Sequence, residues 1–516
     1  MRATTVVLLL AACGGGSSGV SGDGGGPDGR ASIDGVGSDG ATVDAAPLGC
    51  LPYAPPSTAA LRASPRRLFA HYFSPYPLSF ENDPPASDYY ARNYLRPEGE
   101  GGAHAYCGGL LRERPLSPEP WPESADYKVE NMALEVEHAI AIGLDGFTYD
   151  VLNPNVGSAH RERLENLLAA AARVDPGFTI QLVPDMTTSA FGGAAGGTDA
   201  TALAGITTLM DAFGADPALD RTADGRVILA PFAAERRDAA FWNGVIADMA
   251  AAGHPVALVP MPVGSWGGNR THFDGVPLLG ASSWGSRTTS TTAITAGATL
   301  AHDAGILWMA PVAPQDSRPK DLTYVEATNS AAYRAQWDAA IAGGADWVQL
   351  VTWNDYSEDS EIAPSSRTGF AFYELAGYYG AWFKTGAQPP IVRDTIYYVH
   401  RANSMDPAVA PPDLGQQREV YEPVNGPAAP VNEIELLAFL TAPATLVIDV
   451  GGTRHTQAVE AGIQSFRVPL VEGTPVFSIE RDESTVVSLT SATPISNTLV
   501  YQDPLYHAGS SAPCSR

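Results

Sequence analysis

Eight short apolar runs, separated by segments of helical character, constrain the fold of this chain more than any other feature. The runs cover residues 67–73, 144–151, 179–186, 226–233, 256–263, 276–284, 307–314 and 347–356. Most of them are continuously apolar rather than alternating, as in parallel strands whose sheet is covered on both faces. Eight strands that alternate with helices predict an α/β fold, a (β/α)₈ or TIM barrel within residues 66–390.

The segments between the runs carry apolar side chains at helical spacing, which supports the barrel. One apolar stripe consists of Val129, Met132, Ala133, Val136 and Ile140, and another of Leu164, Leu167, Leu168 and Ala171. The alternative is an open doubly wound sheet, which typically carries a glycine-rich phosphate-binding turn after its first strand. The corresponding residues here, 74–77, are Ser-Pro-Tyr-Pro, so the barrel is favoured.

A change of pattern near residue 390 predicts a second domain. A helix is expected near residues 370–384, and strand-like runs follow at 395–401, 435–440, 445–450, 464–470, 476–480 and 485–489. Short strands at this spacing, separated by glycines, predict an all-β sandwich over residues 391–510. Such a domain either binds carbohydrate or packs on the barrel, and the short linker into it favours packing.

The N-terminal residues predict export and a lipid anchor. Residues 1–12 read as a signal peptide with an apolar run too short to span a membrane, and Leu10-Ala11-Ala12-Cys13 resembles a lipobox whose Cys13 is lipidated. The alternative is an ordinary secretory signal in which Cys13 is incidental. Residues 13–49 are rich in Gly, Ser and Asp, the composition of a flexible linker. We therefore expect a location in the cell envelope, at the outer membrane or cell surface, with the lipid as the only membrane contact.

Charge and cysteine content narrow the possible partners. The formal net charge of −26 repels phosphate backbones, so we expect no nucleic-acid partner, whereas a neutral glycan is indifferent to this field. Besides Cys13, the chain contains Cys50, Cys107 and Cys514, which predicts one disulfide and one free thiol without identifying the pair. The sequence has no Cys/His cluster with ligand spacing, so neither a metal nor a cofactor is expected.

Polar and aromatic side chains collect at the predicted strand ends, which meet on one face of a barrel. These residues are His71, Tyr72, Tyr149, Asp150, Asp185, Glu235, Trp266, Trp284, Trp353, Asn354, Asp355 and Glu358. Carboxylates for proton transfer beside aromatic faces for sugar rings are typical of glycoside hydrolysis. A single Asp at a strand end is as readily explained by helix capping, but the pair Asp355 and Glu358 in one loop favours catalysis.

A long segment between the first strand and the first helix, residues 74–126, is rich in aromatic side chains. They are Tyr76, Tyr89, Tyr90, Tyr94, Tyr106 and Trp121. Long βα loops lie on the catalytic face of a barrel, so this segment is expected to form a substrate-binding wall, a loop packed by its own aromatics, or both.

Five short stretches of the chain match the pattern of one known family. They are Phe69-Ala70-His71-Tyr72, Gly143-Leu144-Asp145-Gly146-Phe147, Pro184-Asp185-Met186, Met309-Ala310-Pro311-Val312 and Thr352-Trp353-Asn354-Asp355-Tyr356. These stretches resemble glycoside hydrolase family 71, the α-1,3-glucanases also called mutanases. The C-terminal part, with Ala461-Gly462 and Val468-Pro469-Leu470, is similar to the β-domain of that family.

The resemblance implies endo-type cleavage of α-1,3-glucan with inversion, in which Asp355 and Glu358 match the catalytic acids. Inversion requires a separation of about 6.5–9.5 Å between the two carboxyl groups, to leave room for water. Glu358 is expected to be the general acid, because it lies farther into the loop, where burial would raise its pKa. Substrate binding is expected from His71, Tyr72, Tyr149, Asp150, Asp185, Trp284, Trp353 and Asn354.

The chain departs from the family pattern directly after this motif. The family continues Gly-Glu-Ser-His, and this chain has Ser357-Glu358-Asp359-Ser360, so Asp359 is expected to add a third charge beside the acid. The substrate is therefore less firmly implied than the mechanism. Alternatives are hydrolysis of another α-linked polysaccharide such as α-mannan, and a non-catalytic cell-surface lipoprotein that binds glycan.

Overall fold

The computed structural model describes residues 49–406, 414–417, 419–424 and 429–514. The predicted signal peptide, Cys13 and the predicted linker up to residue 48 lie outside the described residues, so the lipid anchor and the envelope location stay predictions. In the part of the chain that the structure describes, no helix is both long enough and apolar enough to cross a membrane.

The first part of the chain forms a barrel of eight parallel strands. In chain order the barrel strands are β1 (Arg67–Tyr72), β2 (Gly146–Val151), β3 (Thr179–Pro184), β4 (Val227–Leu229), β5 (Val256–Leu258), β6 (Gly280–Ala281), β7 (Leu307–Val312) and β10 (Trp347–Leu350). Between β7 and β10, a separate hairpin consists of β8 (Asp316–Arg318) and β9 (Thr323–Val325). The barrel strands pair in the order β5-β4-β3-β2-β1-β10-β7-β6. Hydrogen bonds from Leu279 to Leu258 and from Ser282 to Pro260, both 3.0 Å, join the two ends of the sheet. Each of the eight apolar runs contains one barrel strand, which confirms the predicted fold class.

Helices cover the outside of the barrel. They are α1 (Thr58–Arg62), α2 (Tyr127–Ala141), α3 (Ala159–Val174), α4 (Asp199–Phe213), α5 (Ala239–Ala251), α6 (Trp266–Asn269), α7 (Thr292–Asp303), α8 (Ala331–Ala342) and α9 (Ala371–Thr385). The side chains of Asp126, Ser158, Thr198 and Asp238 cap α2 to α5 by accepting a backbone N–H of the first turn. The two predicted stripes on α2 and α3 face inward, since all their members except the partly buried Val129 are buried.

The C-terminal part is a sandwich of two four-stranded antiparallel sheets. Its strands are β11 (Thr395–Arg401), β12 (Glu422–Pro423), β13 (Glu433–Leu440), β14 (Ala444–Val450), β15 (Thr453–Val459), β16 (Gly462–Pro469), β17 (Val476–Arg481), β18 (Ser484–Thr490) and β19 (Tyr506–Ser510). The sheets have the orders β16-β13-β11-β19 and β15-β14-β17-β18, and β12 pairs with β9 of the hairpin. All six predicted runs coincide with strands, whereas β12, β15 and β19 were not predicted.

The sandwich packs directly on the barrel. Alternate residues of β11 belong to two different hydrophobic cores. Ile396 and Tyr398 lie in the interior of the sandwich, whereas Tyr397 and Val399 lie in the barrel core, because successive side chains of a strand point to opposite faces. In α9, Glu374 accepts hydrogen bonds of 2.8 Å from the Tyr397 hydroxyl and the backbone N–H of Cys514. The sandwich is thus in close contact with the barrel, while a carbohydrate-binding role of this domain stays untested.

The three cysteines that the structure describes form one disulfide and one free thiol, as the cysteine count predicts. Cys50 is bonded to Cys514, so the crosslink joins the segment before α1 to the end of the chain. Cys107 is free and buried. The structure thereby identifies the pair that the sequence left open.

Candidate active site

The alternation of side chains along β1 and β2 decides which strand-end residues face the barrel mouth. Neighbouring residues of a strand point to opposite faces, so His71 and Tyr72 cannot both point inward, nor can Tyr149 and Asp150. The Tyr72 hydroxyl donates to Glu135 of α2 at 2.8 Å, and the Tyr149 hydroxyl donates to the carbonyl of His160 in α3 at 2.8 Å. Tyr72 and Tyr149 therefore lie between the barrel and its helices, which corrects their predicted place in the site.

Trp353 and Asn354 are also occupied by structural contacts. The indole Nε1 of Trp353 donates to Glu135 at 3.2 Å, so this ring lies on the helix side of the barrel. Asn354 is fully buried and holds the start of the 74–126 segment, because its Nδ2 donates to the carbonyls of Phe73 and Tyr76 at 3.1 and 2.8 Å. Neither side chain joins the groups at the mouth, contrary to expectation.

Two further strand-end residues lie aside from the cluster. Trp266 belongs to α6, where its buried ring stacks on Phe273 at 5.5 Å. Glu235 accepts a hydrogen bond from the backbone N–H of Val263 at 3.2 Å, and burial raises its pKa.

Asp355 and Glu358 lie together in a loop that closes on itself after β10. The backbone N–H of Thr352 donates to the carbonyl of Ser360 at 2.8 Å, and the N–H of Ser360 donates to the carbonyl of Asp355 at 3.2 Å. The Thr352 hydroxyl accepts from the N–H of Asp355 at 2.8 Å. These bonds fix the position of both carboxyl groups relative to the barrel.

The carboxyl group of Asp355 is held by three donors. Its Oδ1 accepts hydrogen bonds from the Ser357 hydroxyl at 2.7 Å, the Ser357 N–H at 3.0 Å and the Glu358 N–H at 3.3 Å. Burial raises the pKa of Asp355, while Ser357, Lys320 and Arg318 act in the opposite direction. The hydrogen bonds favour the anionic form of this group.

Glu358 has charged neighbours but weaker contacts. Arg318 Nη2 lies 3.3 Å from its Oε1, and Arg287 Nη2 lies 3.7 Å from its Oε2, which is buried without a hydrogen-bond partner. Burial raises the pKa of Glu358 to about 7, assisted by Asp316 and Asp355 and opposed by the two arginines. A buried carboxyl group with such a pKa holds a proton that it can donate near neutral pH.

Asp359 does not stand beside Glu358 as expected. It adopts a left-handed backbone conformation with φ of 46°, and its buried side chain lies near Glu113, Asp503 and Arg112. Burial, Glu113 and Asp503 raise its pKa well above the usual range. The third carboxylate near Glu358 is that of Asp316, the first residue of β8.

Asp150 and Asp185 continue the acidic side of the mouth from the ends of β2 and β3. Burial raises the pKa of Asp150 well above its usual range, and the charges of Asp185 and Asp355 add to the effect. Burial also raises the pKa of Asp185 to about 6, although its Oδ1 accepts the Thr187 N–H at 2.7 Å. Asp150 Oδ1 is buried without a hydrogen-bond partner.

An aromatic and cationic group forms the opposite side. The Trp284 ring is partly exposed, meets His71 edge-on at 4.8 Å, and carries the Arg287 guanidinium over its face at 5.1 Å. Burial and the charge of Arg287 lower the pKa of His71 to about 3, so His71 is neutral. Four predicted residues thus lie together: Trp284, Glu358, Asp355 and Asp150. Arg287, which was not predicted, connects Trp284 to Glu358.

The aromatic side chains of residues 74–126 pack mainly against one another. Phe80 contacts the rings of Tyr89, Tyr90 and Tyr94 at 5.0 to 5.6 Å. Tyr76 extends this cluster to Tyr356 of the loop after β10, at 6.3 Å. The segment thus supports the loop by packing, one of the two predicted roles.

Sequence reasoning missed Arg287, Asp316 and Arg318. Asp316 and Arg318 come four and six residues after the last residue of β7, so the strand-end rule could have found them. Arg287 follows the two-residue strand β6, whose end is not visible in the sequence pattern. Over the described ranges, no group of three or more His, Cys, Asp and Glu side chains is placed to hold a metal ion.

The chain is similar to proteins of known activity. Glucan endo-1,3-alpha-glucosidase agn1 of Schizosaccharomyces pombe is 24% identical over 419 residues, which cover 74% of this chain and 90% of that protein. Mutanase Pc12g07500 of Penicillium rubens is 24% identical over 226 residues, which cover 40% of this chain and 48% of that protein. The GH99 endo-alpha-mannosidase structure from Bacteroides thetaiotaomicron superposes with a TM-score of 0.46 at 14% identity, covering 62% of this chain and 98% of that one.

The family assignment rests on a match that includes the loop after β10. The model of glycosyl hydrolase family 71 matches residues 122–507, from the segment before α2 into β19. This range is well over half of the chain and contains Asp355 and Glu358. The chain is therefore a glycosidase, and it belongs to glycosyl hydrolase family 71.

Proposed function

We propose that this protein hydrolyses α-1,3-glucan internally with inversion, with Glu358 as general acid and Asp355 as general base. The observation that carries the proposal is the different environment of two carboxyl groups in one rigid loop. Glu358 can carry a proton near neutral pH, since its pKa is about 7, whereas Asp355 is a carboxylate that accepts hydrogen bonds from three donors. The names of the two family relatives support the substrate.

The proposed step moves two protons in one displacement. Glu358 gives its proton to the glycosidic oxygen as the bond from that oxygen to the anomeric carbon breaks. Asp355 takes a proton from a water molecule, whose oxygen forms the new bond to the anomeric carbon from the opposite face. Oδ1 of Asp355 is saturated by donors, which leaves Oδ2 to receive the proton.

Sugar binding is assigned to the predicted residues that reach the mouth. The partly exposed Trp284 ring offers an apolar face for a sugar ring. Asp150 and Asp185 offer carboxyl oxygens to sugar hydroxyls, and the neutral His71 is a further hydrogen-bonding group. Tyr72, Tyr149, Trp353 and Asn354 are left out, because their polar atoms are already bonded elsewhere.

Reducing-sugar release from insoluble α-1,3-glucan tests the proposal. We expect release by the parent protein and a loss of at least a hundredfold in Asp355→Asn and in Glu358→Gln, because each loses one partner of proton transfer. The matched controls Asp224→Asn and Glu472→Gln change surface acids outside the loop and should retain full activity. Proton NMR of the first product should show the β-anomer.

Other outcomes would redirect the proposal in distinct ways. Activity on α-mannan but not on α-1,3-glucan would keep the acid pair and replace the substrate. Binding of glycans without release of sugar from any of them would indicate a glycan-binding protein. Activity that survives in either carboxyl variant would remove that residue from the mechanism.

A further inference from the structure

A buried carboxylate, Asp316, holds the two arginines that approach Glu358. Arg318 donates to Asp316 through Nε and Nη2, both at 2.8 Å, in a two-bond pairing. Arg287 Nε lies 3.3 Å from the Asp316 Oδ2. The same two guanidinium groups reach Glu358 only at 3.3 and 3.7 Å. Arg318 thus has short contacts with Asp316 and a longer one with Glu358. Arg287 lies 3.3 Å from Asp316 and 3.7 Å from Glu358, without a hydrogen bond to either carboxyl group.

The geometry leaves Glu358 beside two cations without a hydrogen bond to either. Glu358 Oε2 and Arg287 Nη2 are both buried and lack hydrogen-bond partners. Arg287 is restrained further, since its Nη1 donates to the carbonyl of Trp284 at 2.9 Å and its guanidinium lies over the Trp284 ring. A direct two-bond pairing of either arginine with Glu358 would fix that carboxyl group as an anion.

We propose that Asp316 is a positioning residue for the reaction: it holds Arg318 and Arg287 so that neither pairs directly with Glu358, which stays able to carry a proton. This inference rests on the proposed role of Glu358 as general acid. Asp316 touches neither the substrate nor the reacting atoms in this role, since it acts only through the two arginines.

The charges that face Glu358 set the direction of each substitution. They are the guanidinium groups of Arg318 and Arg287 and the carboxyl groups of Asp316 and Asp355, and Lys320 acts on Asp355. Asp316→Asn removes a negative charge and frees Arg318 to pair with Glu358, so the pKa of Glu358 falls. Arg318→Gln removes a positive charge and leaves Asp316 less compensated, so the pKa of Glu358 rises.

The pH dependence of kcat/KM on α-1,3-glucan tests whether the two substitutions shift the pKa of Glu358 in opposite directions. A general acid works while protonated, so activity is present below the pKa of Glu358 and is lost as the pH rises through it. The alkaline limb should lie near pH 7 in the parent, about one unit lower in Asp316→Asn and about one unit higher in Arg318→Gln. Loss of stability alone would not move the two limbs in opposite directions.

A direct titration keeps the test independent of the substrate. Infrared difference spectra of the full chain against Glu358→Gln report the carboxyl band of Glu358 as a function of pH. Opposite displacements of its midpoint in the two variants support the role of Asp316, and unchanged or parallel midpoints overturn it. If the parent does not cleave α-1,3-glucan, the proposed function fails, while the infrared midpoints still decide the inference. If Asp316→Asn does not fold, an unchanged midpoint in Arg318→Gln suffices to overturn it.

Discussion

Trp284 is the aromatic side chain to which the proposed function assigns the stacking of a sugar ring. Its ring is partly exposed and is fixed by the neighbouring rings of His71 and Phe232, at 4.8 and 4.7 Å. We expect Trp284→Ala to raise KM about fivefold, because stacking of a sugar on an aromatic face contributes about 1 kcal/mol. Trp284→Phe, which keeps an aromatic face, should recover part of the loss. Steady-state kinetics on soluble α-1,3-oligosaccharides measure this, and an unchanged KM in Trp284→Ala would place the sugar elsewhere.

Among the residues of the site, the two carboxyl groups of the loop after β10 could be predicted from the sequence, whereas the position of Arg287 could not. Asp355 and Glu358 were predicted from one motif, because a single loop carries both. The inward direction of His71 and the outward direction of Tyr72 follow once the strand is known, although the strand-end rule alone named both. Arg287 could not be predicted, since its place depends on how the loop after β6 folds against Asp316.

At the scale of elements, a buried ion pair joins α9 to the start of the barrel. Lys384 in the last turn of α9 donates to both oxygens of Asp145, at 2.7 and 2.8 Å, and Asp145 also accepts the backbone N–H of Leu68 at 2.7 Å. We expect Lys384→Met to destabilise the protein by about 3–5 kcal/mol, because it leaves a buried carboxylate without its cation. Urea unfolding measures the loss.

The surface pair of Lys128 with Glu162 provides the control for this prediction. Both side chains are about half exposed, so Lys128→Met should cost less than about 1 kcal/mol. Equal losses in the two variants would show that the site of Lys384 tolerates an apolar side chain and that the ion pair contributes little.

The elements themselves were largely predictable because burial leaves a pattern in the sequence. The barrel strands are covered on both faces, so they read as continuous apolar runs. Strand β15 was missed because its residues, Thr453–Val459, are polar and mostly exposed. For β6 the sequence overestimates the strand, since the apolar run at 276–284 contains only the two-residue strand Gly280–Ala281. The length of this strand is set by its hydrogen bonds rather than by the composition of the run.

At the scale of the whole molecule, the barrel and the sandwich behave as one packed body. Tyr397 and Phe439 of the sandwich contact each other at 5.5 Å, and Phe439 meets Tyr378 of α9 at 5.1 Å. Because these rings belong to the barrel core, neither part is expected to retain its full stability without the other. The disulfide lies at this junction, since the N–H of Cys514 is bonded to Glu374 of α9.

The Cys50–Cys514 crosslink should therefore stabilise the whole fold. It closes a loop with a sequence separation of 464 residues, and such a crosslink restricts the unfolded chain strongly, by about 2–5 kcal/mol. We expect the double variant Cys50→Ser/Cys514→Ser to unfold at a Tm several degrees lower in a calorimetric scan while retaining its activity at 25 °C, because the catalytic loop is fixed by its own hydrogen bonds. The reduced parent should match the variant, whereas Cys107→Ser should leave the difference between oxidised and reduced protein intact. If the oxidised parent and the double variant unfold at the same temperature, the packing of the sandwich on the barrel alone holds the two ends of the chain together.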